Sequence, residues 1–375
     1  MATIGALVAQ LTALIIFGVT EIAGSQSPIV GDPGLYRVIA TAIIGGDVPY
    51  IDYPLEHLPG AVLPMLAVEG LSRLSGVGFL DLWPIAMGLA FIVTVAMANL
   101  FPTDFDAGRR VLWYSLPLLP LVLFRTEPWL MAWVVASMLF AFRGSWTAQV
   151  LSTVFASLTK GWPLLMFALP FQLSRRRVAL VSAGATVAAL IVVAALPGFR
   201  EGRAFEGIHT ETVVGSIVLT IRAFRGFDVQ LISAAGAAYT VAPANATMLN
   251  ALIGLPFLAI AGTQALRASD PTRLMRIVGL GVLGVILASP LFSTQFVFWL
   301  VPFVILTGTR TRRTFLVVAF LSLASIIVWD PHTLLWNLLV LVRNILLVGL
   351  GISWAREILS LGIPDASDRS LKPVT

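Results

Sequence analysis

The chain reads as an all-α, polytopic transmembrane bundle of about 10–13 spans. Three observations carry that reading. The 375 residues are 58% hydrophobic and only 11% charged, and the mean hydropathy is +0.93. No soluble core absorbs that much apolar surface. The apolar runs are roughly 15–25 residues long and do not alternate, which selects helices over a β-barrel as the way to satisfy the backbone in hydrocarbon. The basic residues cluster in short loops between those runs, the positive-inside pattern of membrane proteins.

Apolar segments fall at about 4–23, 59–75, 79–100, 111–124, 128–142, 147–173, 178–197, 246–266, 277–290, 294–309, 314–329 and 334–351. The first lacks a basic leader and a small-residue cleavage site, so it reads as a retained helix. Basic loops occur at 174–177, 267–276 and 310–313. Placed in the cytoplasm, they leave two long outer loops, about 24–58 and 198–245. We expect one membrane domain over 1–355 and a cytoplasmic tail over 356–375. The region 101–173 breaks the alternation, because Arg109 and Arg110 fall outside by simple counting. That conflict disappears if 147–173 is two half-helices broken at Lys160-Gly161-Trp162-Pro163 and one earlier segment is re-entrant.

The net charge of +5 and the sequence pI of about 10.1 do not indicate nucleic acid, since the charge lies in the short loops. The absence of cysteine excludes disulfides, thiolate metal sites and cysteine nucleophiles. There is no phosphate-binding loop and no dinucleotide fingerprint. No spacing shows the converging ligands of a metal site, so neither metal nor cofactor is expected.

The most informative stretch is 31–60, where Asp32, Asp47, Asp52 and Glu56 stand among Tyr36, Tyr50, Tyr53 and His57. Short amphipathic helices are expected there. Asp32 precedes Pro33 and reads either as the cap of a helix over 34–44 or as a general base near the bilayer surface. Pro49, Pro54 and Pro59 stiffen the segment into an extended path. Along it Asp52 and Glu56, with His57, are candidates for acceptor binding or support, while Asp47 reads as inert.

Elsewhere, Lys160 interrupts an apolar run. Burial there costs about 2.5–3.5 kcal/mol on insertion scales unless the ammonium snorkels or faces a cavity or an anion. Arg125 and Glu127 interrupt another run, as a structural pair or as a guanidinium aimed at phosphate. The outer segment containing Glu206, His209 and Glu211 offers a phosphate or sugar ligand, with a plain surface histidine as the alternative. Gln295 follows a polar turn at 289–294 and either lines a cavity or closes a hairpin.

In order, these pieces resemble the first-loop pattern of bacterial membrane glycosyltransferases of the GT-C superfamily. The pattern is Asp32-Pro-Gly-Leu-Tyr36, then Gly46-Asp-Val-Pro-Tyr-Ile-Asp52, then Glu56-His-Leu-Pro59. The match is nearest to the polyprenyl-phosphate-mannose-dependent α-1,2-mannosyltransferases (glycosyltransferase family 87). The Arg125 to Glu127 helix start, the Lys160 to Pro163 segment, the 209–218 segment and the 289–302 turn resemble further motifs of that family. His57-Leu58 departs from its Glu-Tyr-Pro-Pro motif, and 209–216 lacks its arginine. The resemblance implies a GT-C-like fold and inverting transfer of a sugar, mannose by default, from a polyprenyl-phosphate donor to a lipid or glycan hydroxyl outside the cytoplasm of a bacterial plasma membrane. By that resemblance Asp32 is the base, Lys160, Arg125 and His209 hold the donor phosphate, and Asp52, Glu56, His57, Tyr36, Glu127, Glu211 and Gln295 bind the acceptor or support the site. A transporter or lipid flippase, and a non-catalytic membrane subunit, are the alternatives.

Overall fold

The computed structural model describes residues 28–102, 106–169, 176–202, 208–225, 232–234, 238–241, 245–268, 270–328 and 332–360. The expected first span at 4–23, and Glu206, lie outside them. Fifteen α-helices are described: α1 (Pro28–Gly45), α2 (Pro59–Ser75), α3 (Phe79–Ala98), α4 (Ala107–Ser115), α5 (Leu119–Val122), α6 (Glu127–Phe142), α7 (Trp146–Thr159), α8 (Arg176–Ala195), α9 (Pro197–Gly202), α10 (Val213–Phe224), α11 (Asn245–Ala265), α12 (Pro271–Ala288), α13 (Val301–Val304), α14 (Thr309–Ile327) and α15 (Leu334–Ser360). Five of them, α3, α8, α11, α12 and α15, are long and apolar enough to cross a membrane. The second long loop adds a small sheet that the all-α expectation did not include. Its strands are β1 (Ile208–His209), β2 (Ile232–Ala234) and β3 (Ala238–Val241), ordered β1-β3-β2 and antiparallel.

Other expected spans are broken where the sequence carries proline. The run at 111–124 becomes α4, a 3-10 turn at Leu116–Leu118 and α5, with Pro117 and Pro120 each near the start of a new piece. Proline suits a first turn, where its missing N–H has no partner to lose. The run at 294–309 likewise becomes a 3-10 stretch, Thr294–Leu300, followed by α13. The run at 147–173 breaks as expected. α7 ends at Thr159, Lys160 is extended, and a 3-10 stretch covers Trp162–Phe167.

The bundle has two polar ends. At one, Arg110 donates to the Ile305 carbonyl at 3.3 Å, Arg276 pairs with Glu357 at 3.7 Å, and Gly308 N–H donates to Glu357. Glu357 lies in the last turns of α15, so the helix runs past the expected tail boundary at 356. At the other end, Trp129 Nε1 donates to the Gly60 carbonyl at 3.2 Å, and His209 N–H donates to the Pro290 carbonyl at 2.8 Å.

This arrangement accounts for Arg109 and Arg110. Gly60 packs against Thr159 and Leu158, while Met65, Val68, Phe79 and Trp83 share one buried cluster with Tyr36. Both ends of α2 therefore lie at the level of the first loop, and α2 does not cross the bundle. Removing that crossing brings Arg110 to the same end as Arg276 and Glu357.

The α6–α7 hairpin turns at Gly144, which takes a left-handed φ of 65°. Between its helices Gln149 Nε2 donates to Ser137 at 3.1 Å, and the Ser137 and Thr153 hydroxyls bond at 2.8 Å. Such bonds lock helices that the hydrophobic effect cannot drive together in lipid. The hairpin thereby brings Glu127, the first residue of α6, to the same end as Lys160, the first residue after α7.

Candidate functional site

Asp32 does not cap a helix that starts at Pro33. α1 begins at Pro28 and runs through Pro33, so the Asp32 side chain projects from the helix body. It forms an ion pair with Arg125, and Tyr36, one turn further on, donates its hydroxyl to Asp32 at 3.2 Å. Burial, then the charges of Glu127 and Glu56, push the Tyr36 phenol well above its usual range. It stays protonated and serves as a donor.

Arg125 sits in the short link between α5 and α6, and Glu127 opens α6 with Pro128 behind it. A carboxylate there meets the positive end of the helix dipole. Lys160 Nζ lies 4.0 Å from Glu127 Oε1 and 5.8 Å from the centre of the Phe296 ring. Phe296 stacks on Trp299, which stacks on Trp162. The aromatic column fixes the backbone just after Lys160. Asp32, Arg125, Glu127 and Lys160 thus form one row of alternating charge drawn from three separate segments.

Exposure sorts this row. The side chains of Asp32, Arg125 and Lys160 are 29%, 18% and 20% exposed, whereas that of Glu127 is 2% exposed. One acid and two cations can meet a ligand, above a sealed carboxylate that holds the cations in place.

A second, fully sealed layer lies beneath. Glu211 is 2% exposed and pairs with Arg343 at 3.3 Å. Glu211 also accepts from the Thr294 N–H at 3.0 Å and from the Thr294 hydroxyl. Arg343 donates to the Glu211 backbone carbonyl at 2.9 Å, and Asn344 Nδ2 donates to the carbonyls of Glu211 and Thr212 and to Ser216 Oγ, at 2.9–3.0 Å. This layer ties the second long loop to the middle of α15 and to the 289–294 turn. Glu211 is consumed by it and supports the site from below without reaching an acceptor.

His209 stands next to that network, with Nδ1 accepting from the Glu211 N–H at 3.3 Å. Burial pushes its imidazole below the ordinary histidine range, with Glu211 pulling back and Arg343 pushing further down. Gln295 Oε1 accepts from the Ser293 hydroxyl, a local bond at the edge of the turn.

Three first-loop candidates divide. Glu56 lies near Tyr36 and 3.9 Å from His57, and the His57 ring meets the Tyr36 ring edge-on at 5.4 Å. Asp52 does not reach the charged row. It is exposed, and its carboxylate accepts from the Val48 N–H at 2.6 Å, which closes a local turn. The expected extended path at 49–59 starts with that turn. Tyr50 takes a left-handed φ of 68°, at a cost of about 1–2 kcal/mol. Burial of its ring offsets that cost, as does its hydroxyl bond to the His57 carbonyl at 2.6 Å. The Tyr50 carbonyl accepts from Gly198 N–H, and Leu55 N–H donates to the Gly198 carbonyl. A Cβ at Gly198 would lie 2.7 Å from the Tyr50 oxygen, so this docking of the first loop needs glycine.

Arg343, Asn344 and Thr294 were not singled out from the sequence. The signal for Arg343 was present. It is an arginine inside an apolar run, the same cue that marked Lys160.

Compared with known proteins, the chain matches no family model, no characterised protein and no solved structure. Fold and site define a class: a helical membrane protein with a charged site at one end of its bundle.

Proposed function

We propose that the protein is a membrane glycosyltransferase of GT-C type. It moves a sugar, with mannose as the first candidate, from a polyprenyl-phosphate carrier to a hydroxyl of a lipid or glycan acceptor, with inversion. The observation that supports this most is the partly open row of Asp32, Arg125 and Lys160. It pairs one carboxylate able to take a proton with two cations suited to a phosphate. The basic end of the bundle faces the cytoplasm of a bacterial plasma membrane by the positive-inside rule, which turns the row toward the outer face.

In this reading Asp32 takes the proton of the acceptor hydroxyl as its oxygen bonds to C1 of the sugar. The bond from C1 to the carrier phosphate breaks on the opposite face, the geometry that inversion requires. The electron pair leaves with polyprenyl phosphate, whose gathering charge meets Arg125 and Lys160. Donor phosphate competes with Asp32 for Arg125, so donor binding frees the carboxylate to act as base. His209, held neutral by burial, accepts from the Glu211 N–H and donates to the Phe292 backbone, so it positions the second long loop and leaves the carrier phosphate to Arg125 and Lys160. Tyr36 orients Asp32, and Glu127 positions both cations.

The test is transfer from radiolabelled polyprenyl-phosphate-mannose to a mixed membrane-lipid acceptor by the purified protein. Wild type should transfer and Asp32→Asn should not. Equal transfer by both removes Asp32 as base. No transfer from any carrier sugar favours a transporter or a non-catalytic subunit.

A further inference from the structure

The opposite end of the bundle carries a groove that the proposed reaction does not use. It has a volume of about 720 Å³, and its lining includes Asp106, Arg109, Arg110, Trp113, Leu316 and Phe320. That volume falls within the usual range for ligand sites. The groove is two-faced. Its polar part presents two guanidiniums, and its apolar part runs along α4 and α14, where Trp113 and Phe320 are 55% and 59% exposed.

We propose that this groove holds one anionic phospholipid, with its phosphodiester on Arg109 and Arg110 and an acyl chain along Trp113 and Phe320. Guanidinium matches phosphate in a two-point, charge-assisted geometry. Basic pockets beside membrane helices on the positively charged side suit anionic headgroups, and tryptophan favours that interfacial depth. Asp106 is committed to its helix, since Oδ1 accepts from Arg109 N–H at 2.9 Å as the cap of α4. Its one charge is exceeded by the two arginines. Arg312 stands close enough to repel Arg110, and an anion on Arg110 offsets that repulsion. A soluble phosphate would meet the arginines but leave Trp113 and Phe320 uncovered, so the amphipathic lining selects a lipid. The proposal is independent of the transferase reading.

The experiment is native mass spectrometry of the full chain, released from detergent containing equal phosphatidylglycerol and phosphatidylcholine. Wild type should retain one phosphatidylglycerol in preference to phosphatidylcholine. Arg109→Gln should weaken that retention about five- to tenfold, as loss of about one cationic contact predicts. Trp113→Ala should weaken retention of both lipids. Circular dichroism of each variant confirms that helix content is kept. Equal retention of the two lipids by wild type overturns the proposal, as does phosphatidylglycerol retention unchanged in both variants. Displacement of the lipid by millimolar inorganic phosphate also overturns it, in favour of a free-anion site.

Discussion

Arg343 donates to Glu211 twice, to the carboxylate at 3.3 Å and to the backbone carbonyl at 2.9 Å. It does so from the middle of a 27-residue apolar helix. Both side chains are sealed from solvent. An ion pair of this kind is costly to break from one side, because the partner is left as an uncompensated buried charge. Arg343→Met should therefore lower stability by about 3–5 kcal/mol, and the double variant Arg343→Met/Glu211→Leu should recover much of that loss. Thermal unfolding of purified protein in one detergent measures both. A double variant no more stable than the single would show that the pair acts through something other than its charges.

The two partly open cations should separate from the sealed layer in function. Arg125→Gln and Lys160→Gln should each reduce sugar transfer by about 10²-fold, the usual loss when one stabilising group is removed from a developing negative charge. Each variant leaves the sealed Glu127 with one cation in place of two, so a modest fall in melting temperature is expected, too small to account for the lost activity. Turnover with saturating carrier lipid, set beside the melting temperature, makes the comparison. Loss of activity that tracks loss of melting temperature would assign them to structure.

The histidine beside the network makes stability depend on pH. Burial holds His209 below its ordinary range, so the unfolded chain binds a proton that the folded chain resists. The stability associated with the neutral ring is then fully present above about pH 6.5 and lost as pH falls through the window below it. Melting temperatures between pH 7.5 and 5 should fall more steeply for wild type than for His209→Gln. Because His57 and His332 remain in both proteins, the difference isolates His209. Parallel curves would contradict the assignment.

Close packing at the start of α2 positions the end of α7. A Cβ on Gly60 would come within 2.7 Å of the Leu158 carbonyl carbon and Thr159 Oγ1. Gly60→Ala must push α2 and α7 apart just before Lys160. A destabilisation of about 1–3 kcal/mol is expected from overpacking, together with reduced transfer. Gly70→Ala, where nothing lies within 4 Å of the added carbon, is the control and should be neutral on both measures. Equal behaviour of the two variants would remove Gly60 as a packing point.

Much of the frame was legible in the sequence because it rests on local rules. The boundaries of α2 coincide with the apolar run at 59–75, and the break at Lys160 follows from Gly161 and Pro163. Pro117, Pro120 and Pro302 each stand near the start of a short helical piece, so the prolines shorten these helices. An apolar run of adequate length need not cross the bundle. α2 lies across one end because its buried residues face the Tyr36 and Trp83 cluster, a preference no periodicity reveals. Among site residues, Arg125, Glu127 and Lys160 stood out as charges that interrupt apolar runs, where burial without a partner is expensive, while Asp32 and Glu211 stood out as acids of the two long outer loops. Asp52 looked equivalent to Glu56, and only its local turn bond separates them.

By itself, the sequence determined that the chain is a membrane-embedded helical protein, because 58% apolar residues in long uninterrupted runs admit no other stable environment. It also marked which residues are too polar to lie there without a reason. The tertiary structure alone decided which of those residues meet. Asp32 and Arg125 are 93 positions apart, and Glu211 and Arg343 are 132 apart. Pairing across such distances is set by how helices pack, and packing in lipid depends on shape and on interhelical hydrogen bonds. The tertiary structure likewise decided that Arg125 and Lys160 remain partly open while Arg343 is sealed, a difference of depth that charge and composition do not encode.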